Sequence, residues 1–275
     1  MRIALARGGI CGSDLHDYNH GGFGAVRLRE PMILGHEVSG HIREIGPGVR
    51  GFAPGDLVAV SPSRPCGACP ECLRGLPNHC LNMRFYGSAM PFPHIQGAFC
   101  EEIVASAGQC VRAEGLGPEQ AAMAGPMLGA EVLVTGCGPI GLLTIMAARR
   151  ADPEALAPHA AGKGRLDVLF ECSGAEAALC AGIATLRPRG VVVQLGLSGD
   201  MRLPMMQITV REIELRGAFR FHEEFAVAID LMRAGLIAAD NLVTHAFPLQ
   251  DFAEAFATTN DRTRAMKVQL TFGAA

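Results

Sequence analysis

Apolar and polar residues alternate weakly over residues 2–7. They recur as short apolar runs over residues 38–60, broken at Gly46-Pro47-Gly48 and Ala53-Pro54-Gly55-Asp56. This spacing predicts strands of a small antiparallel, barrel-like domain, the first strand ending at Gly8-Gly9. A polar segment over 17–24 reads as a connection. Residues 97–112 read as more strand, and Pro118 near the start of 117–124 places a short helix there. From Glu131 the pattern changes. Residues 131–135 form an apolar run of the kind a buried parallel strand needs, followed by similar runs at 167–172, 190–196 and 213–217. Residues 223–235 carry the period of an amphipathic helix.

A chain of 275 residues can bury two cores. A net charge of -3 argues against a nucleic-acid binder that works by neutralising phosphates. Residues 132–148 carry no charge and raise the question of a membrane span, but Gly136, Gly138, Pro139 and Gly141 interrupt them, so a strand, turn and helix fit better. Residues 1–7 are too short and too charged for a signal peptide. Ten cysteines without a secretory signal point to metal ligands and free thiols, and to the cytoplasm.

The candidate chemistry lies in three clusters. The first joins Cys11, Ser13, Asp14 and His16 to His36-Glu37. Thiolate, imidazole and carboxylate are the ligand types of a zinc that keeps one position open for substrate, although an isolated His-Glu pair is more often a surface turn beside a strand. The second is Cys66-x2-Cys69-x2-Cys72-x7-Cys80, whose spacing suits a closed tetrahedral zinc that holds a loop. No basic recognition helix follows it, which opposes a DNA-binding finger. The third is Gly136-x-Gly138-Pro139-Ile140-Gly141 between the strand at 131–135 and a predicted helix. There the glycines make the turn, admit a pyrophosphate and allow close helix packing. Ser173 and Gly196 end two later strands where a nicotinamide or ribose would lie. Cys100, Cys110, Cys137, Cys172 and Cys180 read as small buried residues, and the other histidines, His94 among them, as turn or surface residues.

Gly35-His36-Glu37 with Gly40, Gly46 and Val49 in register resembles the signature of the zinc-dependent medium-chain dehydrogenases. Residues 21–31, 83–90 and 94–99 are similar to the polyol branch, the L-idonate 5-dehydrogenase and sorbitol dehydrogenase type. The resemblance implies an α/β chain with a GroES-like β-rich catalytic domain over 1–126 and 220–275 and a Rossmann-type cofactor domain over 127–219. It implies Zn2+ at a catalytic and a structural site, NAD or NADP, a polyol or sugar-acid substrate, and a homodimer or homotetramer without membrane or nucleic-acid partners. By the same resemblance Cys11, His36 and Glu37 match the catalytic-zinc positions, Ser13 and His16 the proton relay, and Asp14 the carboxylate that orients the zinc histidine. Arg220 and Phe221 match a polyol-binding pair, with a surface salt bridge as the alternative for Arg220.

Three departures accompany it. Gly125 stands where relatives carry a glutamate at the zinc. Only residues 151–165 separate Arg150 from Leu166, too few for a second strand, a helix and a third strand. Pro126 and Glu131 nearly adjoin where relatives have a helix. Because each join falls between well-matching stretches, omission of segments from the sequence is the favoured explanation. If the sequence is whole, a deleted relative predicts a sheet lacking a strand pair and weak or absent cofactor binding. That leaves a non-catalytic partner subunit as the competing reading. A zinc-free quinone reductase is opposed by the two ligand clusters.

Overall fold

The computed structural model describes residues 1–123, 132–135, 164–197, 199–220, 223–239, 242–261 and 263–273. The chain divides into two compact units, Met1–Gly125 with Phe221–Ala275, and Pro126–Arg220. The first unit opens with β1 (Arg2–Gly9), α1 (Gly12–His20), β2 (Gly22–Phe23), β3 (Val26–Arg27), β4 (Glu37–Glu44), β5 (Leu57–Val60) and β6 (Ser63–Arg64). It continues through α2 (Pro70–Leu73), β7 (Arg84–Phe85), β8 (Glu102–Val104), β9 (Cys110–Arg112) and α3 (Pro118–Ala121). The second unit carries β10 (Val132–Thr135), β11 (Leu166–Glu171), α4 (Glu176–Thr185), β12 (Leu186–Gln194), α5 (Met205–Arg211) and β13 (Glu214–Gly217). The chain then returns to the first unit with α6 (Glu224–Arg233), β14 (Val243–Pro248), α7 (Phe252–Asn260) and β15 (Lys267–Thr271).

The first unit is built on a seven-stranded sheet in the order β14-β15-β1-β4-β5-β9, with β8 also pairing β1. Only β14 and β15 run parallel. β1 is the hub, and its register sets Gly9 opposite Glu37 of β4 on one side and Gln269 of β15 on the other. Ile3, Leu5, Val38, Ile42, Val58, Val268 and Leu270 join Phe256 of α7 in one buried cluster. Removing this apolar surface from water stabilises the sheet and carries the site-bearing strand ends with it.

Two sequence expectations fail in this unit. Gly8-Gly9 does not break β1, because the ladder to β4 and β15 runs through both residues. The missing side chains instead make room for neighbours: a Cβ on Gly8 would meet the Phe272 and Phe99 rings, and one on Gly9 the Glu37 carboxylate. The polar segment at 17–24 is largely helix, since α1 runs to His20 and is closed by left-handed Gly21 at φ 63°. Its exposed polar face hides the helical period, but the N-terminal signal is legible: Asp14 accepts a hydrogen bond from the Cys11 backbone N–H at 2.9 Å.

The second unit is a parallel sheet in the order β10-β11-β12-β13. Leu169, Leu179, Ile183, Leu186, Val192, Ile208 and Ile213 form its core with Leu166. The sequence reading passed over α4 and α5, which make the crossovers that parallel pairing requires. The strand order matches places 1-4-5-6 of a dinucleotide-binding sheet, 3-2-1-4-5-6. Among the described residues nothing fills places 2 and 3 beyond β10, in keeping with the brevity of 151–165. The glycine turn Gly136 to Gly141 and Gly125 lie outside the described residues. Among those residues no helix is long and apolar enough to cross a membrane.

Candidate active site and metal centres

The turn between β1 and α1 and the start of β4 bring Cys11, His36 and Glu37 together. One ligand atom from each lies within 4.8 Å of the others. Gly35 prepares this corner. Its φ is +96°, and a Cβ there would drive into the Phe99 ring, so only glycine turns the chain into His36 here. Asp14, at 2% exposure, ties the two segments together by accepting from the Cys11 N–H and from the Gly35 N–H at 3.0 Å. Its Oδ1 faces His36 Nδ1 at 3.5 Å, looser than a formed hydrogen bond. Ser13 Oγ lies 3.5 Å from His36 Nε2. His16 is one helical turn further along α1 and exposed.

Burial opposes the charges here, and pairing outweighs it. Burial pushes the Asp14 carboxyl up, but His36 and two backbone N–H groups bring it below its ordinary value. Burial pushes His36 down, yet Asp14 holds it well above. The sequence reading missed Lys267 of β15. The residue is 5% exposed, and its ammonium pairs with Glu37 Oε2 and donates to the Ile10 carbonyl at 3.1 Å. The available signal was a lysine in the buried strand segment Lys267-Val268-Gln269-Leu270.

The four thiols of Cys66, Cys69, Cys72 and Cys80 also lie within 4.8 Å of one another, and Cys69 Sγ is 3.9 Å from Cys80 Sγ. Four sulfurs on a tetrahedral zinc at about 2.3 Å stand ~3.8 Å apart, so the donor set fits. Backbone N–H groups point at the sulfurs, from Cys66 and Asn82 to Cys80 Sγ at 3.2 and 3.3 Å and from Cys69 to Cys66 Sγ at 3.4 Å. The Ala68 N–H, with Asn82, brings the Cys66 thiol down to about 6, toward the thiolate a metal needs.

In the second unit Glu171 ends β11 fully buried. Its carboxylate accepts from the Ser173 hydroxyl, the Ser173 N–H at 2.8 Å, the Gly174 N–H at 3.0 Å and Gln194 Nε2 at 2.6 Å. Its own carbonyl accepts from the Gly196 N–H at 2.8 Å. Burial pushes this carboxyl up, but those donors bring it below its ordinary value. Glu171 thus ties the strand ends that carry Ser173 and Gly196, a role that sequence reasoning did not see. Glu171→Ala strands these donors in the interior and is expected to cost roughly 3 kcal/mol. Urea denaturation checks it, and a loss under ~1 kcal/mol would show the network to be dispensable.

Arg220 is left-handed at φ 62°, its guanidinium 4.6 Å over the Phe219 ring, while Phe221 lies outside the described residues. His94 is not a surface residue. It is 5% exposed, its Nε2 accepts from the Arg29 N–H at 2.9 Å and its Nδ1 faces the Pro91 carbonyl at 2.9 Å, which fixes the ring's orientation. Of the cysteines assigned to the interior, Cys110 is buried, but Cys100, Cys172 and Cys180 are only partly so, and Cys137 lies outside the described residues.

Residues 1–115 match the alcohol dehydrogenase GroES-like domain, and residues 140–234 match the zinc-binding dehydrogenase family. The chain belongs to the zinc-dependent medium-chain dehydrogenases, oxidoreductases that use zinc and NAD or NADP on alcohols and polyols. It is 36% identical to L-idonate 5-dehydrogenase (NAD(P)(+)) of Escherichia coli K12 over 314 residues, 98% of this chain and 91% of that one. It is 30% identical to human sorbitol dehydrogenase, covering 91% and 83%. The crystal structure of the E. coli L-idonate 5-dehydrogenase superposes with a TM-score of 0.90, covering 98% of this chain and 90% of that one. An alignment of 314 positions exceeds the 275 residues here, so that relative carries segments with no counterpart in this chain.

Proposed function

We propose that this chain catalyses the reversible NAD(P)-linked oxidation of a secondary alcohol in a polyol or sugar acid of the L-idonate or sorbitol type, as a cytoplasmic homodimer or homotetramer. The observation that carries the proposal is the convergence of Cys11, His36 and Glu37 ligand atoms within 4.8 Å. Ser13 beside them supports it. When bound, zinc polarises the substrate oxygen and a nicotinamide accepts the hydride. Cys11, His36 and Glu37 hold the metal, and Asp14 orients His36. Ser13 Oγ receives the proton that leaves the substrate hydroxyl, and His16, at i+3 on the same face of α1 and exposed, passes it to water. Cys66, Cys69, Cys72 and Cys80 hold the structural zinc. Gly136, Gly138, Pro139, Ile140 and Gly141 cradle the pyrophosphate, Ser173 and Gly196 border the nicotinamide end, and Arg220 with Phe221 binds substrate hydroxyls.

A panel of polyols and aldonates assayed with NAD and with NADP, alongside zinc counting, tests this. Turnover of at least one substrate with two zincs per chain is the expected result. Gly125 and the brevity of residues 151–165 favour a second reading, a non-catalytic partner subunit that keeps the four-thiol zinc. One zinc, no turnover and no saturable nicotinamide binding by fluorescence titration would establish it.

A further inference from the structure

Lys267 and Glu37 form a largely buried ion pair at one end of β15, β1 and β4. Lys267 opens β15, Glu37 opens β4, and Gly9 of β1 lies between them. A Cβ on Gly9 would come within 2.6 Å of Glu37 Oε2 and 2.8 Å of Lys267 Cε. The backbone therefore leaves a space that the ion pair fills. Burying an ammonium costs several kcal/mol unless an anion and further acceptors compensate it, and an apolar replacement is often as stable. The pair is therefore weak evidence for a purely stabilising device. Its anion is also one of the residues grouped at the metal centre.

We infer that Lys267 is a positioning residue for the catalytic metal. It pins Glu37 through Oε2, so that the carboxylate keeps one rotamer and presents its other oxygen to the ion. The Ile10 carbonyl holds the ammonium from a second direction and limits how far it can swing. Cys11 and Asp14 add negative charge around the same ammonium. Among the described residues Glu37 is the one carboxylate grouped with Cys11 and His36 at this centre, and its placement decides whether three protein ligands or two reach the metal.

The inference rests on the zinc reading of Cys11, His36 and Glu37 proposed above. The test is zinc competition with a chromogenic chelator on the zinc-loaded full chain, with circular dichroism as the check of folding. Lys267→Met is expected to keep the four-thiol zinc and to bind the other zinc about ten- to a hundredfold more weakly, the range typical when the support of a metal ligand is removed. Lys267→Arg, which keeps the cation, is expected to restore most of that affinity. Gly9→Ala, which pushes into the pair without removing it, is expected to weaken the same zinc, and it decides the matter should Lys267→Met not fold. Unchanged affinity for the second zinc in a folded Lys267→Met, or in Gly9→Ala, overturns the inference while leaving the zinc reading intact. A parent chain that binds only one zinc overturns both.

Discussion

His36→Ala is expected to leave one zinc per chain and to lower kcat/KM about a thousandfold, the equivalent of ~4 kcal/mol of transition-state stabilisation. In the proposed site His36 is the nitrogen ligand, and no other described imidazole is grouped with Cys11 and Glu37. The substitution also strips Asp14 of its cationic neighbour. In the metal-free chain the lowered Asp14 value contributes stability that is present above its ordinary 3.8 and lost as pH falls through the folded value. The raised His36 value contributes stability that is complete below 6.5 and lost as pH rises through the folded value. The pair thus stabilises the empty site most between these limits, and a metal, which needs neutral imidazole, competes with that proton. Steady-state kinetics and zinc counting check the substitution. Unchanged turnover with two zincs would remove His36 from the reaction.

Cys69→Ser is expected to release the other zinc and to loosen the 66–82 lobe, with a loss of several kcal/mol from a total stability on the order of 5–15 kcal/mol. The lobe has little else to hold it. Leu73, Leu76 and Leu81 are exposed, and α2 is one short turn. Its ordering comes from the four sulfurs and the N–H groups aimed at them. Thermal denaturation with and without a chelator measures the effect. A parental midpoint in Cys69→Ser that the chelator does not change would show that the lobe folds without metal.

Legibility in the sequence varied with the range of the forces involved. The strands of the second sheet and most of the first were readable because a half-buried strand alternates and a buried one is continuously apolar, which are local patterns, whereas β14 and β15 of the first sheet were not read. The four cysteines were readable because their spacing alone brings the ligands together. α1 was misread in part, since its residues are mostly polar and its N-terminal hydrogen bond comes from a cysteine backbone rather than a serine or threonine signature. His94 was misread because nothing in its neighbours tells that Arg29, some sixty residues earlier, donates to its ring.

The amino-acid sequence by itself determined the two-unit organisation it predicts and the four-cysteine cluster by type and spacing, while the family and the Cys11, His36 and Glu37 set were identified by resemblance to a known signature. The first two follow from side-chain chemistry and short-range periodicity. The tertiary structure alone decided that Lys267 meets Glu37 across a separation of 230 residues, that Gly9 makes the space between them, and that Glu171 joins the ends of two parallel strands. Each is a contact between segments brought together by sheet register, and register is fixed by burial of whole strand faces and not by any residue's neighbours in the chain.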